Sequence, residues 1–338
     1  MLTIKDIARL ANVSVSTVSR VLNDRPDVSE ESRRRVRAVI EDQHYIPNNS
    51  ARSLVLTSSD AVGLIVRGMQ NPFYTEIIRT IEEALDAAGY SLVMHQIGFS
   101  DDEIAAGAVM QREKRLRGII FLGGRSDYTP QEIAQVTVPI VLCTFTNTGG
   151  TLPADRYSSV SICDEDAAFD AVSELIGNGH RRIAALVADA DDSSISQLRF
   201  QGYCRALREN GIPLRSELVF ATGDSFAIED AYRTMSEGLE REAEFTALFA
   251  ISDEMAIGAM RALREHGRDI PADCSVIAID GIAVSEYIHP MLTTLCQPGE
   301  ELGARSAELL LANIEGCGAH AQLTLPTRLR RGASIQAI

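Results

Sequence analysis

Residues 3–23 read TIKDIARLANVSVSTVSRVLN, and this stretch decides the reading of the whole chain. Ile4, Ile7, Ala8 and Ala11 fall at i, i+3, i+4 and i+7, one face of a short helix. Thr3 stands where an N-cap belongs, with Asp6 three residues on as its reciprocal partner. Asn12, Val13 and Ser14 break the pattern. Ser14 restarts it, and Val18, Val21 and Leu22 give a second helix its apolar side. Two helices joined by so tight a turn make a helix-turn-helix, whose second helix enters the major groove of DNA. Its outer face carries Val15, Ser16, Ser19 and Arg20: small or hydrogen-bonding groups and one guanidinium, suited to base edges and phosphates.

Charge obeys the same division. The chain of 338 residues has a formal net charge of −15, which by itself argues against nucleic acid. Residues 1–57, however, carry +2 and the remainder −17, so DNA is drawn to the head and repelled by the body. Ser29 is placed to cap a third helix running to about residue 42, packed through Val36, Val39 and Ile40, with Arg33, Arg34, Arg35 and Arg37 near phosphates. Residues 46–60, IPNNSARSLVLTSSD, form a boundary in which 48–56 spell a helix of about two turns, too short to be stable alone.

From residue 61 the pattern alternates strand and helix. AVGLIV (61–66), SLVMHQ (91–96), GIIFL (118–122) and PIVLCT (139–144) are separated by helical stretches at 73–88, 101–115 and 130–136. The rhythm restarts with RIAALVA (182–188), LVFAT (218–222), TALFAI (246–251) and SVIAID, alternating with helices near 165–178, 196–210, 226–239 and 253–266. Such alternation gives parallel sheets covered by helices on both faces, with ligands at the carboxyl ends of the strands. The fold expected is therefore an all-α helix-turn-helix domain followed by an α/β domain of two doubly wound parallel-sheet subdomains.

The length allows two or three domains, and 45% hydrophobic with 23% charged residues is a globular composition. The N-terminal residues lack the pattern of a signal peptide and no apolar run is long enough to span a membrane, so a cytoplasmic protein with no membrane partner is expected. Six scattered Cys without CxxC spacing read as reduced thiols, and six dispersed His offer no metal cluster. GxSxG, Walker and GxGxxG motifs are absent, so neither an enzyme nor a cofactor is expected.

The order of residues is more specific than the pattern. VSVSTVSRVLN (13–23), then Val28 and Ser29, then Tyr45, Ile46, Pro47 and Asn48, resemble the LacI/GalR family of bacterial transcription regulators. The likeness continues through GLI (63–65), NPFY (71–74), GHRRI (179–183), Gly202 and Tyr203, SDEMAIG (252–258), Asp280 and PMLTT (290–294), essentially the whole chain. The resemblance implies an effector domain shared with periplasmic sugar-binding proteins, and three domains: 1–46 helix-turn-helix, 47–60 hinge, and 61–338 effector-binding and dimerising. Its first lobe is expected at about 61–161 plus 291–321, its second at about 162–290 plus 322–338, with crossings near 161–163, 289–292 and 321–324.

It also implies roles for particular residues. For DNA it adds Thr3, Ser14, Thr17, Asn23, Ser29, Tyr45 and Asn48 to the outer face of the second helix. In the hinge it places Leu54 as a minor-groove wedge with Ala51 beside it. For the effector it points to Arg199 and Asp280, a bidentate guanidinium and a carboxylate suited to vicinal hydroxyls. Asp164, Asp253 and Gln297 are further polar candidates, and Phe73, Tyr74 and Phe226 are candidate walls. Cys163 and Gly281 depart from the family pattern beside Asp164 and Asp280. The function implied is a homodimeric repressor on a pseudo-palindromic operator, controlled by a sugar bound between the lobes. The alternatives are a regulator that lacks an effector or activates, and a sugar-binding protein without a regulatory role.

Overall fold

The computed structural model describes residues 2–22, 28–43, 60–68, 71–99, 101–188 and 194–338. Asn23, Tyr45, Asn48, Ala51 and Leu54, with the expected hinge, lie outside the described residues. Two compact units divide the chain, one up to residue 59 and one from residue 60.

The first unit holds α1 (Ile4–Leu10), α2 (Val15–Leu22) and α3 (Glu30–Asp42). Asp6 accepts from both the backbone N–H (2.9 Å) and the hydroxyl (2.7 Å) of Thr3, fixing the start of α1. Asn12 turns the chain with φ +53°, a conformation asparagine tolerates better than most residues. Ser14 then caps α2, its Oγ accepting from the Thr17 N–H at 3.1 Å. Ser29 caps α3 through the Ser32 N–H. Ile7, Ala8, Ala11, Val18, Val21 and Val36 are buried together, with Val39 and Ile40 packed on their edge.

The second unit has two lobes. The first begins with β1 (Ala61–Arg67), α4 (Phe73–Ala87), β2 (Ser91–Ile97), α5 (Glu103–Lys114), β3 (Gly118–Leu122), α6 (Pro130–Ile133), β4 (Ile140–Cys143) and β5 (Ser158–Ser161). The second runs through α7 (Asp164–Gly177), β6 (Ile183–Val187), α8 (Ile195–Glu209), β7 (Val219–Ala221), α9 (Ile228–Glu240), β8 (Ala247–Ala250), α10 (Asp253–Glu265), β9 (Ser275–Asp280) and β10 (Thr293–Cys296). α11 (Gly299–Ile314) and β11 (Gln322–Thr324) return to the first lobe and β12 (Arg328–Arg330) to the second. The strand orders are β11-β5-β4-β3-β1-β2 and β12-β10-β9-β8-β6-β7. All neighbours are parallel except β12, which runs antiparallel to β10.

Alternation along β1 explains the layers. Val62, Leu64 and Val66 face Ile77, Ile81 and Leu85 of α4 and Leu302 and Leu310 of α11. Ile65 faces the opposite layer with Ile104, Ala108 and Met110 of α5. The second lobe has one continuous core around β6, β8 and β9.

Two crossings differ from the positions expected. Thr294 and Leu295 of β10 pair with Ala278 and Ile279 of β9, so 291–296 belong to the second lobe and the chain leaves it after β10, not near 289–292. β11 pairs with β5, so 322–324 belong to the first lobe and the last crossing comes after them. The cause is backbone pairing: each strand completes the ladder of the sheet whose edge it meets.

Candidate functional site

Between the two lobes lies a cavity of about 180 Å³. Its lining comes almost wholly from the carboxyl ends of strands, as a doubly wound sheet dictates. The first lobe supplies Arg67 at the end of β1, Phe99 after β2, Gly123 and Gly124 after β3 and Thr144 after β4, with Asn71 and Tyr74 at the start of α4. The second supplies Ala188 after β6, Ser194, Ile195 and Arg199 opening α8, Asp224, Phe226 and Ala227 after β7, and Ser252 and Glu254 after β8.

Arg199 is the centre. It is 2% exposed, and its Nε donates to Asp164 Oδ1 at 2.8 Å. Its Nη1 donates to the Ile251 carbonyl at 2.5 Å and to Asp280 Oδ1 at 3.3 Å. The second terminal nitrogen, Nη2, makes no hydrogen bond among the described residues, and Arg199 lines the cavity. Asp280 is held in turn by Gln297 Nε2 at 2.8 Å and, across the lobes, by Asn71 Nδ2 at 3.1 Å. Burial pushes the carboxyls of Asp164 and Asp280 above the ordinary range, against the pull of Arg199, and the charge of Asp280 adds to the rise at Asp164. Asp280 also adopts φ +135°, a region that side chains rarely occupy, as does Thr144 at +74°. Backbone strain at two strand ends of one cavity marks a position set by what it must hold.

The walls are aromatic. Phe99 and Phe226 stack across the two lobes, ring centroids 5.4 Å apart and planes 24° off parallel. Gly68 lies under Phe99, where a Cβ would come within 2.1 Å of the ring, and has φ +70°. Arg67 is committed elsewhere, donating through Nε to the Phe99 carbonyl at 2.7 Å and lying 3.8 Å from Glu103.

The sequence candidates therefore divide. Tyr74, Arg199 and Phe226 line the cavity. Asp164, Asp280 and Gln297 stand behind it and orient Arg199. Phe73 is not a wall: it is buried with Ile77 and Ile81 in the first-lobe core, because its place on α4 turns it toward the sheet. Asp253 does not line the cavity either. Its carboxylate accepts from the N–H groups of Gly281 (3.1 Å) and Ile282 (2.9 Å) and from the hydroxyls of Ser285 (2.8 Å) and Thr294 (2.5 Å), tying β9 to β10. The adjacent Glu254 is the buried carboxylate on the cavity; the SDEMAIG stretch contains it without marking it as a site residue. Arg67, Phe99, Thr144 and Asp224 were likewise missed, although each stands at or just beyond the carboxyl end of a strand, the signal that could have found them. Among the described residues no group of His, Cys, Asp or Glu is arranged to hold a metal, and no helix is long and apolar enough to cross a membrane.

On the first unit Val15, Ser16 and Arg20 are exposed along α2, and Thr17 and Ser19 are partly so. Ser14 Oγ lies 2.7 Å from Ser16 Oγ and 2.8 Å from Thr17 Oγ1, a line of hydroxyls at the amino end of α2. Thr3 and Ser29 are exposed at the starts of α1 and α3.

These features define a class: a helix-turn-helix unit in one chain with a two-lobed, periplasmic-binding-protein-like receptor. Known proteins agree with it. Residues 3–48 match the family model of bacterial regulatory proteins, lacI family, and 172–335 that of the periplasmic binding protein-like domain. The HTH-type transcriptional regulator MalR of Clostridium butyricum is 37% identical over 332 residues, covering 97% of each chain. Among solved structures, the transcriptional regulator CelR–cellobiose complex superposes with a TM-score of 0.72 at 31% identity, over 99% of this chain and 100% of that one. The lac repressor dimer bound to operator and the anti-inducer ONPF gives 0.76 at 26%, over 99% of each. The chain belongs to the lacI family of bacterial regulatory proteins and is a transcription regulator.

Proposed function

We propose that this regulator is a cytoplasmic homodimeric repressor, not an enzyme, that binds a pseudo-palindromic operator through α2 and holds a sugar in the cavity between its lobes. The observation that carries the reading is Arg199, buried between Asp164 and Asp280 and lining the cavity, with Nη2 making no hydrogen bond among the described residues. A guanidinium so fixed offers paired donors to adjacent hydroxyls, and the Phe99–Phe226 stack offers an apolar face to a sugar ring. The complexes of related regulators with cellobiose, and of the lac repressor dimer with operator, support the same assignment of parts. Leu54 as minor-groove wedge, and domains at 1–46, 47–60 and 61–338, complete the proposal on the family likeness.

The test is selection of bound duplexes from a random pool by the purified chain, followed by sizing of the complex. Two symmetric half-sites bound by two chains support the proposal. Enrichment of no sequence, or of a single half-site by one chain, contradicts it.

A further inference from the structure

Two carboxylates line the cavity, Asp224 and Glu254; Asp224 is exposed, and Glu254 stands apart from the other buried carboxylates around it. It is 7% exposed and lines the cavity. It makes no hydrogen bond and no ion pair among the described residues, whereas Asp164, Asp253 and Asp280 are each held by at least one donor. A buried carboxylate without a partner is costly, and a position with no task in binding is better filled by an apolar residue. Its charged surroundings are mostly of its own sign. Asp280 at the end of β9 and Glu229 in the first turn of α9 face it, Asp253 precedes it on α10, and Asp224 lines the same cavity. Arg199 of α8, a cation on that lining, is already shared between two aspartates. Burial first, then Asp280 and Glu229, push the Glu254 carboxyl up to about 7.

Resting on the sugar-receptor reading above, we propose that Glu254 is the cavity's own acceptor for a ring hydroxyl of the effector, and that it selects an uncharged sugar over its phosphorylated or carboxylated forms. Arg199 Nη2 donates and Glu254 accepts, so the two match the two faces of hydrogen bonding that a polyol presents. An anionic ligand meets one more carboxylate than guanidinium in the Asp164–Arg199–Asp280 group, and then Glu254 and Asp224 on the lining, in a site where water screens little. Arg67 and Arg199, the two guanidiniums lining the cavity, already serve groups of the protein and cannot neutralise it without breaking those bonds.

The experiment is calorimetry on the full chain with cellobiose, maltose, glucose, galactose, ribose and glucose 6-phosphate, at about pH 6 and about pH 8. Wild type is expected to bind a neutral sugar from this panel, with affinity rising about tenfold between the two pH values as Glu254 ionises, and to bind glucose 6-phosphate no better than glucose. Glu254→Gln is expected to weaken the neutral sugar about 10- to 100-fold, the worth of a charge-assisted hydrogen bond, and to flatten its pH dependence. Unliganded melting of Glu254→Gln at or above wild type establishes that the variant folds, and Glu254→Ala serves if it does not. Equal affinity and an equal pH profile in wild type and variant overturn the role of Glu254 while leaving the sugar receptor standing. Tighter binding of glucose 6-phosphate than of glucose overturns the selectivity. Binding of no sugar by wild type overturns the receptor reading itself, and this inference with it.

Discussion

Arg199 makes an uncommon demand on mutagenesis, because a residue lining the cavity also neutralises the interior. Arg199→Ala leaves Asp164 and Asp280 buried and unpaired, at a cost of about 3–5 kcal/mol. Thermal melting should show this as a marked loss of stability, so a lost sugar response in that variant is not evidence of lost contact alone. Phe226→Ala, half-buried and outside the ion network, should weaken sugar binding about fivefold with little change in melting. Glu254 adds a pH signature. Its carboxyl titrates near 7 in the fold against an ordinary 4.5. Between those values the folded chain holds the extra proton, so stability falls as pH rises. Above pH 7 the cost is on the order of 3 kcal/mol, and Glu254→Gln should remove it. Melting from about pH 5 to about pH 8 should therefore fall less steeply in the variant, the remainder coming from Asp253, which burial also pushes up to about 7, and from Asp164 and Asp280, which burial also raises. Equal slopes contradict the assignment.

At the scale of elements, α2 is where recognition and folding separate most cleanly. Val18 and Val21 are buried while Val15, Ser16 and Arg20 face outward. Arg20→Ala should thus cost about 1–3 kcal/mol of operator affinity and leave the fold intact, read by fluorescence anisotropy across a salt series. Ile7→Ala removes a fully buried side chain from a small core and should cost about 2–5 kcal/mol, abolishing DNA binding while the sugar response of residues 60–338 persists. The same contrast explains what the sequence made legible. Helices and central strands announce themselves by apolar spacing, and the spans expected at 73–88, 101–115 and 253–266 end within two residues of α4, α5 and α10. β5 is spelled SSVS and carries no such signal; its serines are buried by pairing and by bonds such as Ser159 Oγ to Thr146 Oγ1 at 2.8 Å. Arg199 was legible through family likeness, whereas Tyr74 and Phe226 read only as aromatics that could wall a site or fill a core. Glu254 and Asp253 were not distinguishable, because adjacent residues on a helix turn about 100° apart and only the packed structure says which one meets the cavity.

For the whole molecule the claim is coupling: the cavity and the DNA-reading face must report to each other. A sugar that binds two states equally shifts nothing, however tightly it binds. Asn71 to Asp280 and Phe99 on Phe226 join the lobes, so a ligand seated among them bears directly on how the lobes close. The coupling expected is typically about 5- to 150-fold in affinity, and linkage requires it to be reciprocal. The most direct measurement is therefore paired: operator affinity with and without a saturating neutral sugar, and affinity for that sugar with and without saturating operator. The account predicts that both change by one and the same factor, within that range. Operator affinity unchanged by a sugar that demonstrably occupies the cavity would contradict it.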